Sequence, residues 1–269
     1  MGLRVWVPVT LAVPEVEAEA PAAAAPVAAA LPAVAPVTAA VAAPRSTHTP
    51  AVAPAQPRPA LTPTDSERAR HISTLDWPAL RETVAACRAC GLCEGRTQTV
   101  FGTGYSQAHW MVVGEAPGEQ EDLSGEPFVG AAGQLLDNML RALSLTRSVE
   151  GDTPPAQRVF IANTLKCRPP RNRNPSPEEM AACEPFLKRQ LELVRPRIIL
   201  AMGRFAVQML LNTQEPVGRL RGRVHAYQGV PLVVTYHPAY LLRTLTDKAR
   251  AWEDMCLAAQ VAQGSPAGP

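Results

Sequence analysis

The sequence lacks any long apolar segment that is free of proline, and it is poor in aromatic residues. Phe, Trp and Tyr make up 5% of the 269 residues, whereas the chain has 28 prolines. A membrane-spanning helix needs about 20 consecutive apolar residues, so a transmembrane protein is not expected. A secretory signal is also disfavoured, because Pro8 and Pro14 interrupt the short apolar stretch near the N-terminus. These absences favour a soluble, cytoplasmic protein without a membrane partner.

The first part of the chain also lacks the charged and aromatic residues of a folded domain. From Pro14 to Thr64 it consists almost entirely of Ala, Pro and Val. The prolines remove backbone donors and prevent a continuous helix. We therefore predict a disordered, partly polyproline-like extension over residues 1–70, one folded domain over residues 71–262 and a disordered tail over residues 263–269.

Neither sign of charge is in strong excess, since 26 Lys and Arg stand against 24 Asp and Glu, for a net charge of +2. The basic residues are nevertheless clustered, and one cluster comprises Lys166, Arg168, Arg171 and Arg173. Clustered basic residues in loops can follow a phosphate backbone, but a solvated surface shows the same pattern. Charge alone leaves both interpretations open.

Six cysteines without a secretory signal argue against a disulfide scaffold. Cys87 and Cys90 have the C-x2-C spacing of a metal-binding pair, and Cys167 and Cys183 form a second, wider pair. The residues alone leave open a zinc site and an iron–sulfur cluster.

Four short apolar runs are typical of buried strands, and amphipathic helices are predicted between them. The strands are expected at residues 109–113, 159–162, 197–203 and 230–236. Asp76 is a predicted N-cap, and Ser176 begins a capping box. This order predicts an α/β fold, a three-layer α/β/α sandwich with a central four-stranded, mostly parallel sheet.

Polar residues follow three of the four predicted strands, and these are Glu115, Asn163 and His237. In open α/β sheets ligands bind at the carboxyl ends of the strands. We therefore expect the three side chains to line one site. Taken singly, each also has an ordinary structural explanation in a strand-end turn.

Four motifs occur together and in order, namely Gly114-Glu115-Ala116-Pro117-Gly118, Pro127-Phe128-Val129-Gly130, Asn163-Thr164-Leu165-Lys166-Cys167-Arg168-Pro169-Pro170 and His237-Pro238-Ala239-Tyr240-Leu241-Leu242-Arg243. With the Cys87 and Cys90 pair, this set resembles the family 4 uracil-DNA glycosylases, which are iron–sulfur enzymes. The resemblance covers about Leu75 to Ala262. It implies the uracil-DNA glycosylase fold and an enzyme of base excision repair that flips uracil out of DNA, hydrolyses its N-glycosidic bond and leaves an abasic site.

The resemblance also implies roles for the pocket residues. Phe128 would stack on the flipped base, and Asn163 would pair with uracil N3–H and O4 and thereby reject cytosine. His237 would donate a hydrogen bond to O2 as the leaving base gains negative charge. The uracil and water side of the pocket would be lined by Glu115, Ala116 and Pro117.

The general base is left open by the resemblance. Family 1 glycosylases carry an aspartate where this sequence has Ala116, and family 4 lacks it. Glu115 is the candidate, and a water held by backbone groups is the alternative, because a dissociative transition state needs no strong base. Glu121 would form the wall that excludes the 5-methyl group of thymine.

The resemblance implies that Cys87, Cys90, Cys167 and Cys183 hold a [4Fe–4S] cluster that orders a DNA-facing loop rather than acting as the catalyst. Cys93 and Cys256 would be bystanders. The residues expected to contact DNA are Lys166, Arg168, Arg171, Arg173 and Arg243, with Tyr240, Leu241 and Leu242 as an apolar insertion loop.

Two other functions are compatible with parts of this pattern. A related glycosylase that traps DNA covalently has a basic insertion ending in His, which is absent here. A non-catalytic iron–sulfur partner of a DNA polymerase would not need Asn163 and His237. We expect a monomer whose partner is uracil-containing DNA.

Overall fold

The structure is a computed structural model that describes residues 63–264. Most of the predicted extension, residues 1–62, and the predicted tail from residue 265 onward lie outside the described residues. Among the helices within residues 63–264, none is long and apolar enough to cross a membrane.

A six-stranded sheet forms the centre of the domain. Its strands are β1 (Thr103–Gly104), β2 (Trp110–Gly114), β3 (Val159–Asn163), β4 (Ile198–Met202), β5 (Val224–Tyr227) and β6 (Val230–Thr235). Their order across the sheet is β1-β3-β2-β4-β6-β5. The four inner strands are parallel, and the two edge strands pair antiparallel to their neighbours.

The predicted α/β fold with a mostly parallel sheet is confirmed, but the predicted count of four strands is wrong. The four expected strands are the inner ones, and both edge strands were missed. β1 has two residues, which is too short to give a sequence pattern. β5 is joined to β6 by a tight turn at Gln228 and Gly229, whose φ angles of 49° and 82° are left-handed. Its residues alternate between exposed and half-buried instead of forming an apolar run.

Helices cover both faces of the sheet. They are α1 (Pro63–Thr74), α2 (Trp77–Ala85), α3 (Leu92–Gly95), α4 (Glu119–Ser124), α5 (Ala131–Ala142), α6 (Pro177–Val194), α7 (Arg204–Leu211), α8 (Val217–Leu220), α9 (Pro238–Leu241) and α10 (Lys248–Ala262). Met111 and Val113 of β2 pack with α2, α6 and α7 on one face, whereas Val112 packs with α5 and α10 on the other. This alternation along a buried strand builds the three layers.

The folded domain begins earlier than predicted, because the boundary at residue 70 falls inside α1. Ile72 of this helix is 1% exposed and belongs to the main apolar core. The Arg68 guanidinium donates to the Ala182 carbonyl of α6 at 2.8 Å. The fold therefore begins where the Ala- and Pro-rich composition ends, at about residue 63, and not at residue 70.

Two predicted helix starts are confirmed. Asp76 Oδ1 accepts a hydrogen bond from Ala79 N at 3.0 Å at the start of α2. At the start of α6, Glu179 N donates to Ser176 Oγ at 3.2 Å, and Ser176 N donates to Glu179 Oε2 at 2.8 Å. This capping box fixes the first turn of the helix that carries Cys183.

Candidate active site

A pocket of about 350 Å³ opens at the carboxyl ends of the inner strands, as ligand sites do in open α/β sheets. The structure brings all three predicted strand-end residues, Glu115, Asn163 and His237, into its wall. The other pocket residues that the motifs predicted are there too, namely Ala116, Pro117, Glu121 and Phe128.

Asn163 ends β3 and is 2% exposed. Its register partner is Gly114, where a Cβ atom would clash with Asn163 Oδ1 and with the Phe128 ring. Within residues 63–264, Asn163 Oδ1 is a buried oxygen without a hydrogen-bond partner. An unpaired buried acceptor costs about 1–3 kcal/mol. Such an oxygen in a pocket wall is suited to accept an N–H from a ligand.

Phe128 holds its ring in the pocket wall through an unusual backbone conformation. Its φ of 57° lies in the left-handed region, which is rare for a bulky residue. The ring is stacked on the His237 imidazole, with centroids 5.3 Å apart and planes inclined by 26°. Backbone strain of this kind concentrates at functional sites.

His237 is held as a neutral hydrogen-bond donor. Its Nδ1 accepts from Ala239 N at 3.2 Å, so in the neutral ring the proton is on Nε2. Burial lowers the pKa of His237 to about 4; the Glu121 carboxylate opposes this shift and Arg243 adds to it. At neutral pH the ring can therefore donate through Nε2 without carrying a charge.

The Glu115 carboxylate is anchored to the start of α7. Its Oε1 accepts from Phe205 N at 3.0 Å. Gly203, with φ of 90°, leaves the space that this carboxylate needs, since a Cβ there would lie 2.7 Å from Oε1. Burial raises the pKa of Glu115, and the backbone hydrogen bonds from Phe205 and Arg204 oppose that shift. The carboxylate thus lines the pocket and also caps a helix.

Glu121 connects the loop after β2 to the loop that carries Phe128. Its Oε2 accepts from Gly118 N at 3.1 Å, and its Oε1 accepts from Val129 N at 3.1 Å and from Gly130 N at 3.4 Å. The side chain lines the pocket, as expected. Its contact with a 5-methyl group stays a prediction.

The predicted contact of Lys166 with DNA does not agree with the burial of this side chain. Lys166 is 1% exposed, and its Nζ donates to the Asn163 carbonyl and to Gln190 Oε1, both at 2.7 Å. The side chain folds back under the end of β3 instead of pointing outward. Burial lowers the pKa of Lys166 to about 7, whereas the Cys183 and Cys167 thiolates would raise it.

The predicted insertion loop is only partly accessible. Leu241, the last residue of the short helix α9, is 1% exposed, so in this structure it is not available for insertion into DNA. Tyr240 is half-buried, and its hydroxyl donates to Asp247 Oδ2 at 2.6 Å. Leu242 is 42% exposed and is the accessible apolar residue of the three.

The predicted DNA-contacting arginines differ in how strongly the protein holds them. Arg171 and Arg243 are exposed, and Arg243 lines the pocket. Arg168 is half-buried and donates to Asn172 Oδ1 at 2.9 Å. Arg173 makes two hydrogen bonds to the Glu179 carboxylate, at 2.8 and 2.6 Å, and so supports the start of α6.

The four predicted cysteine ligands line one cavity, which Cys93 lines as well. Cys167 and Cys183 are buried, Cys87 and Cys90 are half-buried, and none of them forms a disulfide. In the part of the chain that the structure describes, no three His, Cys, Asp or Glu side chains are grouped closely enough to hold a metal ion.

Two guanidinium groups contact these sulfur atoms. Arg96 Nη1 donates to Cys167 Sγ at 3.1 Å, and Arg68 Nη2 donates to Cys87 Sγ at 3.7 Å. Burial raises the pKa of Cys183 to about 12 and also raises the pKa of Cys90 and of Cys167. Buried thiols ionise only where nearby positive charge compensates for the loss of solvation. The guanidinium donors of Arg96 and Arg68 therefore fit a metal group that is held by cysteine thiolates.

Some pocket residues were not predicted. Asn172 and Asn174 line the pocket from the loop that follows Cys167, for which the sequence predicted only the arginines as functional residues. Arg147 hydrogen-bonds to the backbone carbonyls of Pro127 and Phe128 and was also missed. No sequence motif marked it, because it follows α5 and precedes β3 in an irregular segment.

Comparison with known proteins agrees with this geometry. The family model described as the uracil DNA glycosylase superfamily matches residues 101–258. The type-4 uracil-DNA glycosylase of Archaeoglobus fulgidus is 43% identical over 167 residues, which is 59% of this chain and 79% of that protein. The type-4 uracil-DNA glycosylase of Thermotoga maritima is 40% identical over 171 residues, 63% of this chain and 84% of that protein. The type-4 uracil-DNA glycosylase of Pyrobaculum aerophilum is 39% identical over 193 residues, which is 68% of this chain and 93% of that protein.

The chain therefore belongs to the uracil-DNA glycosylase superfamily. Within that superfamily its relatives place it with the type-4 enzymes, which confirms the resemblance seen in the sequence motifs.

Proposed function

We propose that the chain is a uracil-DNA glycosylase that takes a flipped uracil into the pocket and hydrolyses its N-glycosidic bond, leaving an abasic site for repair. The observation that carries this proposal is the buried Asn163 Oδ1, which has no hydrogen-bond partner among residues 63–264 and lies in a pocket that also contains a neutral His237 and the Phe128 ring. These groups match the hydrogen-bonding edge and the flat face of a pyrimidine.

Base selection rests on the Asn163 amide. Its Oδ1 accepts from uracil N3–H, and its NH2 donates to O4. Cytosine has an acceptor at N3 and a donor at N4, so both groups of the amide would meet the wrong partner. Glycine at position 114 permits this approach, because any side chain there would clash with the amide.

Departure of the base is assisted by His237. As the glycosidic bond breaks, negative charge develops on the uracil, and Nε2–H of the neutral imidazole donates to O2. A neutral donor avoids the cost of burying an imidazolium. The Ala239 amide keeps the ring in the required tautomer by occupying Nδ1.

The attacking water approaches from the side lined by residues 115–117. Glu115 is the candidate base, since burial already favours its protonated form and so raises its proton affinity. The alternative, a water held by backbone groups, leaves Glu115 as the cap of α7. A Glu115→Gln variant separates the two cases.

The four-cysteine cavity is proposed to hold a [4Fe–4S] cluster through Cys87, Cys90, Cys167 and Cys183. The cluster would cross-link the segment before β1, the loop after β3 and α6, and supply no step of the hydrolysis. The guanidinium donors at Cys167 and Cys87 support it, because they stabilise thiolate sulfur. A zinc ion with the same ligands is the alternative.

DNA would approach the open side of the pocket. Arg171 and Arg243 are exposed cations that could contact phosphates, and Leu242 is an exposed apolar residue that could fill the gap left by the flipped nucleotide.

Single-turnover excision on a uracil-containing oligonucleotide tests the proposal. We expect cleavage at uracil and none at matched thymine or cytosine. DNA binding without uracil excision by the wild-type protein would contradict the proposal and would favour a non-catalytic DNA-binding module.

A further inference from the structure

The Arg147 guanidinium bridges the two carbonyl groups that flank Phe128. Nη1 donates to the Pro127 carbonyl at 2.9 Å, and Nη2 donates to the Phe128 carbonyl at 2.8 Å. Nη2 also donates to Asp137 Oδ2 of α5 at 2.6 Å. Since one planar group contacts the peptide on each side of the Phe128 Cα atom, it restrains both backbone dihedral angles of Phe128.

Phe128 requires such a restraint, because its φ of 57° is unfavourable for a bulky side chain. The peptide between Phe128 and Val129 is held at both ends. Arg147 Nη2 donates a hydrogen bond to the Phe128 carbonyl oxygen of this peptide, and Glu121 Oε1 accepts one from the Val129 amide at 3.1 Å. Gly133 of α5 packs so closely against the Phe128 carbonyl that a Cβ would clash.

We propose that Arg147 is a positioning residue for base recognition, which holds the strained Phe128 backbone so that the ring stays in the pocket wall. This inference rests on the proposed function, in which Phe128 stacks on uracil. Arg147 itself touches no substrate atom in this arrangement, and its effect on excision passes through Phe128.

Arg189 provides a matched control on the other side of the sheet. Its Nε donates to the Leu75 carbonyl at 2.7 Å, and its Nη1 pairs with Glu192 at 3.0 Å. The side-chain exposures are 19% and 32% for this pair, against 20% and 32% for Arg147 and Asp137. Arg189→Ala therefore removes a comparable network that does not contact the pocket.

The first measurement needs no activity. The chain has five phenylalanines, so protein labelled with 4-fluorophenylalanine gives few 19F NMR signals, and Phe128→Leu identifies the one from Phe128. We expect Arg147→Ala to shift or broaden that signal, Asp137→Asn to do so less, and Arg189→Ala to leave it unchanged. An unchanged Phe128 signal in folded Arg147→Ala would overturn the proposal.

The second measurement is excision kinetics. We expect Arg147→Ala to lower kcat/KM about 10- to 100-fold, the order of loss that follows from a misplaced binding group. A lysine at this position can reach one carbonyl but not both, so the kcat/KM of Arg147→Lys should lie between those of Arg147→Ala and the wild type. In a Phe128→Leu background, Arg147→Ala should cost less than about twofold, because the residue through which it acts is gone.

An equal loss in both backgrounds would show that Arg147 acts independently of Phe128, and would overturn the proposal. If the wild-type protein excised no uracil, the proposed function would fail, whereas the 19F measurement would still decide whether Arg147 holds Phe128.

Discussion

The imidazole of His237 lies against the ring of Phe128, with the two centroids 5.3 Å apart. This contact shields one face of the imidazole, and burial lowers its pKa to about 4. The Ala239 amide occupies Nδ1 from the other direction. The same arrangement that forms the pocket wall therefore sets the protonation state and the tautomer of the residue proposed to stabilise the leaving base.

We expect His237 to stay neutral throughout the pH range in which the enzyme works. Its ring signals in 15N-resolved NMR should not titrate until the pH approaches about 4, with the proton on Nε2. A midpoint near the ordinary value of about 6.5 would contradict the neutral donor.

The same pKa shift predicts how stability depends on pH. Because the pKa of His237 is lower in the folded than in the unfolded protein, the unfolded state binds the extra proton first as the pH falls. The stability contributed by the neutral ring is complete above about pH 6.5 and is lost as the pH falls toward about 4. Between these pH values the free energy of unfolding of the wild-type protein, measured with urea, should fall more than that of His237→Gln. If the free energy of unfolding depended on pH in the same way in both proteins, the lowered pKa of His237 would be refuted.

Glu115 has two separable tasks, and one substitution distinguishes them. Glu115→Gln retains an oxygen that can accept from Phe205 N but cannot act as a base. We expect an excision rate lowered by about 100-fold or more with an unchanged melting temperature. Glu115→Ala should in addition lose about 1 kcal/mol of stability with the helix cap. Near-wild-type excision by Glu115→Gln would instead favour a water held by backbone groups.

Substitution of Lys166 should affect fold stability, whereas substitution of Arg171 should affect DNA binding, although both residues belong to the same basic cluster in the sequence. Lys166→Met leaves the Asn163 carbonyl and Gln190 Oε1 without their donor, and should destabilise the fold by roughly 2–5 kcal/mol while leaving the salt dependence of DNA binding unchanged. Arg171→Ala should leave stability unchanged and reduce the salt slope of DNA binding by about 1. A reduced salt slope in Lys166→Met would restore its predicted contact with DNA.

The cysteine assignment predicts a visible difference between variants. Purified protein should absorb visible light and contain iron, and Ser at position 87, 90, 167 or 183 should abolish both. Cys93→Ser tests the site most closely, because Cys93 lines the same cavity. We expect it to keep the absorption, as should Cys256→Ser. Stoichiometric zinc without iron would contradict the cluster.

The sequence was sufficient to predict where a residue lies when that residue follows the end of a strand. Glu115, Asn163 and His237 meet because the carboxyl ends of parallel strands share one edge of the sheet. The location of Lys166 does not follow from the sequence, because a lysine within a basic cluster is typical of a solvent-exposed surface, whereas this side chain is buried. Its Nζ instead reaches the carbonyl three residues back, a contact that only the turn after β3 creates.

The other features that the sequence does not reveal also depend on tertiary context. Leu241 and Leu242 look equivalent in the motif, but the turn of α9 buries the first and exposes the second. Arg147 carries no motif, and its importance comes from two carbonyl groups about twenty residues away in sequence. The left-handed conformation of Phe128 likewise cannot be read from its residue type.

Asn163 allows the sharpest test, because its two amide atoms determine which base is excised. Asn163→Ala loses both hydrogen bonds to uracil, which should cost roughly 3–5 kcal/mol of transition-state stabilisation and about two to four decades in rate. In Asn163→Asp a carboxylate repels uracil O4 but can accept from the cytosine N4 amino group. Uracil excision should therefore collapse while slow cytosine excision appears.

His237→Ala is the control for the Asn163 variants. Because O2 is common to uracil and cytosine, the loss of the His237 side chain should slow the excision of both bases in the Asn163→Asp background. The measurement is single-turnover excision on matched oligonucleotides that contain uracil or cytosine at one position. Asn163→Asp protein that still excised uracil at nearly the wild-type rate would show that another group reads the base. That result would also leave the unpaired Oδ1 of Asn163 without its proposed partner, since a carboxylate in its place could not hold the N3–H and O4 edge of uracil in the same way.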